Sequence, residues 1–410
     1  MKKEKVIKNT FIISSLFSFV LLLISCDPET TPTAFKDLPS GGTPVISSIS
    51  PADTGLAGIT EVTINGQNFS ADILKNIVYF NEHVAEILQV SETQLIVKSP
   101  NIVEDSVEIK VAVEGVPLFS ETFLLDLKSA IHEIYPFQDF QIPYALTTDK
   151  EGNVIFNLVV SGLSTGFSKI NSAGIIEDYA AKGGESFYTD LRYGNNGKVY
   201  GTRNPAVRAL FGSEPGASPG AVIVSSDESV QLFSLAIDNN FNIWTGGSQG
   251  NIFRVTPDEV DKKEFPTELT IKSLRFFNGY LYAVANMDTT QSIWRFSVIS
   301  SDSLGSAEEY FNISNNLEGY IVNAITFSED GKLFMGTSAE GNNPNTIVYL
   351  TTDKTLKQFY PGILSGPVLN LAWDKDIFLY YTRGKVGEEQ LQSIVRINTG
   401  MLGAPYFGRD

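Results

Sequence analysis

The sequence predicts an all-β chain in which a small β-sandwich precedes a six-bladed β-propeller. Three observations predict it. Seven short alternating runs separated by turn residues lie between 43 and 127. An apolar strand, a polar turn and a second apolar strand recur six times between 131 and 410. No stretch of the second region carries a convincing amphipathic-helix pattern.

The 410 residues, 42% hydrophobic and 19% charged, are globular in composition and exceed one ordinary domain. Thirty basic and 47 acidic residues give a net charge of −17. The first 25 residues hold four lysines and one glutamate, so the remainder carries 26 basic and 46 acidic residues, a net −20. Nucleic acid is therefore not an expected partner, because phosphate binding needs clustered Lys and Arg. One cysteine and two histidines cannot build a disulfide framework, a zinc finger or a His-rich metal centre. No cofactor is expected, and any metal would need oxygen ligands.

Lys2, Lys3, Lys5 and Lys8 precede an apolar run of 14 residues, Phe11 to Ile24. That is shorter than the ~20 residues a spanning helix needs, and it reads as an export signal. The run ends in Leu23-Ile24-Ser25-Cys26, which resembles the bacterial lipobox. The resemblance implies a signal peptide over 1–25 and lipidation of Cys26. Residues 26–42, starting Asp27-Pro28-Glu29-Thr30-Thr31-Pro32-Thr33, are polar and proline-rich without apolar periodicity, as in a flexible tether. Acidic residues directly after the cysteine resemble the surface-export signals of Bacteroidetes-type lipoproteins. The expected location is the outer membrane, lipid-anchored and facing the cell surface, with a periplasm-facing anchor as the alternative.

From Pro44 the β-type runs are Val45–Ile49, Glu61–Ile64, Ile77–Phe80, Ala85–Val90, Gln94–Lys98, Val107–Val113 and Glu121–Leu125. Ile49-Ser50-Pro51, Gly58, Val62 to Phe69 (VTINGQNF), Val78-Tyr79-Phe80-Asn81 and Ser99-Pro100 together resemble the IPT/TIG immunoglobulin-like domain. Within them Gly66 is expected to permit a positive φ, Asn68 to bond the turn backbone and Phe69 to anchor the core. His83 is expected in an exposed turn. None of these residues is a catalyst, and the resemblance implies a spacer or binding module over 43–127.

In the 131–410 region the repeated turns centre on positions 152, 197, 241, 279, 331 and 376, spaced 45, 44, 38, 52 and 45 residues apart. Gly166–Ile170, Asn251–Val255, Ser292–Phe296 and Ser393–Ile397 supply third strands. Units of this kind stack economically as four-stranded blades about an axis. The pattern resembles the NHL and related six-bladed propellers. The last unit ends soon after its third strand, while Ile131 to Tyr135 is a β run without a blade of its own. The two should complete one blade and so remove exposed edges. His132 lies on that closing strand.

Chemistry is harder to place. Asp149 to Asn153, Asp238 to Asn242 and Glu329 to Gly331 alternate oxygen ligands as calcium loops do, but they lack the EF-hand spacing and read as β-turns. No Gly-x-Ser-x-Gly elbow is present, and two histidines leave little for a triad. Paired carboxylates could still meet in space, so the alternative function is a propeller enzyme: a lyase, lactonase or glycan hydrolase. A binding role is the leading expectation. Loops from strand two to three and from blade to blade share one face, and the longer ones are Arg203 to Gly220, Asn286 to Gln291, Ser338 to Asn345 and Arg383 to Gln390. Tyr144, Tyr188 and Tyr320 precede inner strands at that end, and Arg203, Asn286 and Arg383 follow second strands. Aromatic rings beside Arg and Asn donors suit a polysaccharide or an extracellular protein ligand. Trp244, Trp294 and Trp373 lie inside strands and are expected in blade cores.

Overall fold

The computed structural model describes residues 41–171, 173–184, 187–204, 209–224, 231–248 and 250–410. Cys26, the signal peptide and most of the tether lie outside the described residues, as do positions 205–208 within the first predicted loop. The chain divides into two compact units.

The first is a sandwich of two antiparallel sheets. One orders Val45–Ser50, Glu61–Gln67, Gln94–Lys98 and Glu86–Val90. The other orders Thr54–Leu56, Phe123–Lys128, Glu104–Val113, Asn76–Phe80 and His83–Val84. Alternation drives the layering: Val62, Ile64, Leu95 and Val97 are buried on one sheet, and Val78, Phe80, Val107, Ile109 and Val111 on the other. Burying each such side chain is worth about 1.5–3 kcal/mol. Phe69 is buried as expected.

The role of Gly66 differs from the expectation. It does not adopt positive φ; a Cβ there would lie 1.9 Å from the Val45 carbonyl oxygen and 2.5 Å from the Phe69 ring, so glycine is needed for space. The left-handed residue is Asn68, at φ 62°, whose amide donates to the Thr43 carbonyl at 2.9 Å. His83 sits in a two-residue edge strand rather than a turn.

The second unit is the propeller. Among the described residues it contains six antiparallel sheets, each with four main strands running outward from the axis. The inner strands of blades one to six are Gln141–Thr148, Phe187–Tyr193, Leu232–Ile237, Thr270–Phe277, Val322–Phe327 and Val368–Trp373. Each packs on the next, and blade six returns to blade one. Blade six is completed by Ile131–Glu133, which pairs antiparallel with Ser393–Asn398 as its outermost strand. One aliphatic residue stands at the same level of every inner strand: Leu146, Leu191, Leu235, Leu274, Ile325 and Leu371. All six are fully buried. Trp244 and Trp373 are buried in blade cores, and Trp294 is half-buried.

Two of the four long loops are shorter than the sequence suggests. The stretch from Arg203 to Gly220 contains the third strand of blade two, Ala209–Ser213. Asn286 pairs with Gln291 and Met287 with Thr290, so a tight hairpin replaces a loop in blade four. The stretches after Thr337 and after Arg383 do remain loops.

Candidate functional site

The inner strands share one irregularity that shapes the axis. In every blade the pairing of strands one and two skips a residue near the start of the inner strand. The residue passed over is Thr189, Phe233, Lys272, Asn323 or Leu369 in blades two to six; in blade one it is Tyr144 together with Ala145. The next positions are Ala145, Asp190, Ser234, Ser273, Ala324 and Asn370, all buried. Bulges of this kind re-aim side chains. Inner strands of different blades do not share a ladder, so their amides need other partners. In three consecutive blades the post-bulge side chain supplies one by accepting from the aliphatic-ring amide of the next blade. Asp190 Oδ2 takes Leu235 N at 3.2 Å, Ser234 Oγ takes Leu274 N at 2.9 Å, and Ser273 Oγ takes Ile325 N at 3.2 Å.

Asp190 is also the hub of a charged network across the axis. Arg192 Nη1 lies 2.7 Å from its Oδ1 and Arg275 Nη1 lies 3.8 Å from its Oδ2. Ser234 Oγ donates to Oδ2, and Asn370 Nδ2, from blade six, donates to Oδ1 at 3.2 Å. Arg275 reaches across to the Leu371 carbonyl at 2.7 Å. Burial pushes the Asp190 carboxyl up, against the pull of Arg275, Ser234 and Asn370. Every acceptor direction of this carboxylate is occupied, so it fastens blades together and has no lone pair free to act as a base.

Beyond the network the segment 404–410 crosses the axis at the hairpin end. Tyr406 Oη meets Thr326 Oγ1 at 2.8 Å, Arg409 donates to the Trp373 carbonyl at 2.6 Å, and Phe407 packs edge-on against Phe276. The Arg409 guanidinium stacks on the Tyr406 ring at 4.9 Å and the Arg275 guanidinium at 5.8 Å. A cavity of about 30 Å³ lies beside the segment, lined by Arg192, Arg275, Thr326, Tyr406 and Phe407.

At the opposite end stand the six bulge residues. Tyr144 stacks on Phe187 with ring centroids 4.3 Å apart. Lys272 Nζ lies over the Phe233 ring at 5.1 Å. Leu369 is 37% exposed, and Tyr144, Thr189, Phe233 and Asn323 are half-buried. The rim thus combines Tyr144, Phe233 and Leu369 with three polar residues: Lys272, Thr189, whose hydroxyl meets Thr202, and Asn323, whose amide donates to the Val368 carbonyl at 2.9 Å.

The residues predicted from sequence are not brought together. Tyr144 is on this rim. Tyr188 is not: it is 1% exposed, packed against Phe167 of blade one between the two blades, and cannot reach a ligand. The reason is register, since the bulge follows it and leaves Thr189, one residue on, half-buried with its hydroxyl on Thr202. Arg203 covers the Phe211 ring at 4.5 Å. Asn286 is half-buried beside Gln291. Arg383 is held by Glu133 of the closing strand at 2.6 Å and acts in blade six. Tyr320 accepts from the Asn343 amide at 3.0 Å and borders a separate hollow of about 550 Å³ with Asn345, Lys357 and Gln358. Missed from sequence were Phe233, Lys272, Asn323 and the Asp190 network. A signal for the latter existed in a small or polar residue directly before each inner-strand leucine or isoleucine.

Two of the three calcium-like turns, and the Asp374 turn of blade six, are hairpins closed by aspartate; the Glu329–Gly331 turn is closed by Ser328, whose Oγ accepts the Lys332 amide at 3.1 Å. Asp149 Oδ1 accepts the amides of Glu151 and Asn153 at 3.0 and 2.8 Å, Asp238 Oδ1 those of Asn240 and Asn242 at 2.9 Å, and Asp374 Oδ1 those of Asp376 and Phe378 at 2.8 and 3.1 Å. Trp244 donates its indole N–H to the other Asp238 oxygen at 2.8 Å. Among the described residues no three His, Cys, Asp or Glu side chains group as a metal site.

Comparison with known proteins agrees with this architecture. No curated protein matches the chain. Solved structures share the fold at low identity. A putative phosphatase from Bacteroides thetaiotaomicron VPI-5482 is 12% identical over 89% of this chain and 98% of that one, with a TM-score of 0.52. A structural-genomics protein of unknown function from the same organism is 13% identical over 87% and 98%, with a TM-score of 0.50. A luciferin-regenerating enzyme is 13% identical over 67% and 98%, with a TM-score of 0.51. Residues 44–125 match the IPT/TIG domain family, so the chain carries an IPT/TIG domain ahead of its six-bladed propeller.

Proposed function

We propose that this is a lipid-anchored envelope protein, displayed at the cell surface through Cys26, that binds polysaccharide on the bulge-bearing face of its propeller. The carrying observation is the aromatic and apolar rim of Tyr144, Phe187, Phe233 and Leu369 above an axis already filled by the Asp190 network. Apolar sugar faces stack on such rings, and Lys272 offers a donor for hydroxyls. The hollow beside Tyr320 adds amides and a lysine in a further concave surface. An engaged carboxylate, with arginines rather than a second acid beside it, favours binding over hydrolysis.

The test is a polysaccharide and host-protein array followed by titration of the best ligand. Tyr144→Ala and Phe233→Ala should each weaken binding roughly tenfold, the loss of about one stacked ring. Affinity unchanged in both variants would remove the rim from the site, and a hit confined to proteins would replace polysaccharide as the ligand.

A further inference from the structure

The opposite, hairpin-bearing face carries a second concave site at the seam where the ring closes. Third strands in four blades present a cation at one equivalent position: Lys169, Arg254, Arg295 and Arg396. The first three meet carboxylates: Lys169 with Glu177 at 3.4 Å, Arg254 with Asp261 and Asp302 at 2.7 Å each, and Arg295 with Glu308 at 2.8 Å. In blades one and four that acid is the cross-strand neighbour on the outermost strand. In blade six the neighbour of Arg396 is His132, and among the described residues no carboxylate pairs with Arg396. Its contacts are the Phe378 ring, 4.7 Å from the guanidinium carbon, and the Tyr380 hydroxyl.

Above this unpaired guanidinium is a hollow of about 300 Å³, at the lower end of the range for small-ligand sites, about 300–1,000 Å³. His132, Tyr380, Lys375, Asp376 and Glu151 line it with Arg396. Burial pushes the Tyr380 hydroxyl up to about 12, so it remains a donor at neutral pH. The lining therefore offers a planar fork of donors, suited to a carboxylate, and three carboxylates; Asp374 is taken up by the Asp376 and Phe378 amides, and those of Asp376 and Glu151 suit hydroxyl groups.

We infer that the seam hollow binds a small polyhydroxylated carboxylate of the hexuronate type, its carboxylate on Arg396 and its hydroxyls toward Asp376 and Glu151. The ligand supplies the negative charge that glutamate supplies in blades one and four. The free acid and the end of a polyuronide share this chemistry. The inference is independent of the reading of the opposite face.

Calorimetric titration of the full chain with glucuronate, glucose, acetate and a short oligouronide tests it. Glucuronate should bind and raise the melting temperature, whereas glucose and acetate should not. Oligouronide binding as tight or tighter assigns the chain end as ligand; binding of the monomer alone assigns the free acid. Arg396→Gln should weaken glucuronate binding at least tenfold, and Arg396→Lys by less. His132→Glu restores the glutamate of the other blades, and should abolish binding while preserving or raising the melting temperature. Glucose or acetate binding as well as glucuronate, no binding of either uronate at millimolar concentration, or unchanged glucuronate affinity in a folded His132→Glu protein would overturn the inference.

Discussion

Asn370 of blade six donates its side-chain amide to the Asp190 carboxylate of blade two at 3.2 Å, spanning the axis past blade one. With Arg192, Arg275 and Ser234 it forms a polar centre in a unit otherwise held by aliphatic and aromatic clusters. Removing the acid alone would leave two buried guanidinium groups without their counter-charge. Asp190→Asn should therefore destabilise the propeller by about 3–5 kcal/mol, whereas an apolar Asp190→Leu/Arg192→Met pair should cost less. Chemical denaturation of both variants checks the order, and a milder single variant would contradict the hub role of Asp190.

The crossing segment depends on a glycine. A Cβ on Gly408 would stand 1.9 Å from the Tyr193 carbonyl oxygen and 2.9 Å from Gly194 Cα. Gly408→Ala should push the segment off blade two at a cost of about 1–3 kcal/mol. Hydrogen exchange is the sensitive readout: amides at the hairpin ends of the inner strands should lose protection. Unchanged exchange would mean that the segment adjusts without leaving.

Burial holds the Asp374 carboxyl above its ordinary value, while the amides of Asp376 and Phe378 and the charge of Arg409 pull it down and the charge of Asp376 pushes it further up. An acid whose native pKa is raised binds its proton more tightly when folded. Its contribution to stability is full below the unfolded value of about 3.9 and is lost as pH rises through the native value. Asp374→Asn keeps the acceptor for both amides and removes the titration. The variant should gain on the wild type as pH rises from about 4, then run parallel to it. Unfolding free energies across that window measure the difference, and a constant offset would exclude the titration of Asp374.

Cys26→Ala should move the protein from the membrane fraction to the soluble fraction of the envelope. Retention of the variant in membranes would count against a lipid anchor at this residue.

Much of the fold was legible because apolar periodicity and turn residues act locally. Blade three keeps the turn of blades one, two and five without its glycine: Phe241 takes φ 62° where Gly152, Gly197 and Gly331 take 80–88°. The closing strand was legible because Ile131 to Tyr135 was a β run with no blade of its own. What escaped depends on contacts remote in sequence. Asp190 and Asn370 are 180 positions apart, and a polar residue in a strand carries no mark of what it will meet. Tyr188 and Thr189 differ by one position, yet the bulge between pairings buries one and leaves the other half-buried. The crossing of 404–410 has no periodicity from which to infer it.

That crossing makes the propeller a cup instead of a pipe. With Tyr406 and Arg409 seated at one end and arginine side chains spanning the middle, a long polymer has no route through the ring. A polysaccharide bound as proposed would lie across the lip and leave by the way it came. Discrimination by such a vessel would rest on chain ends and on short flat stretches rather than on length.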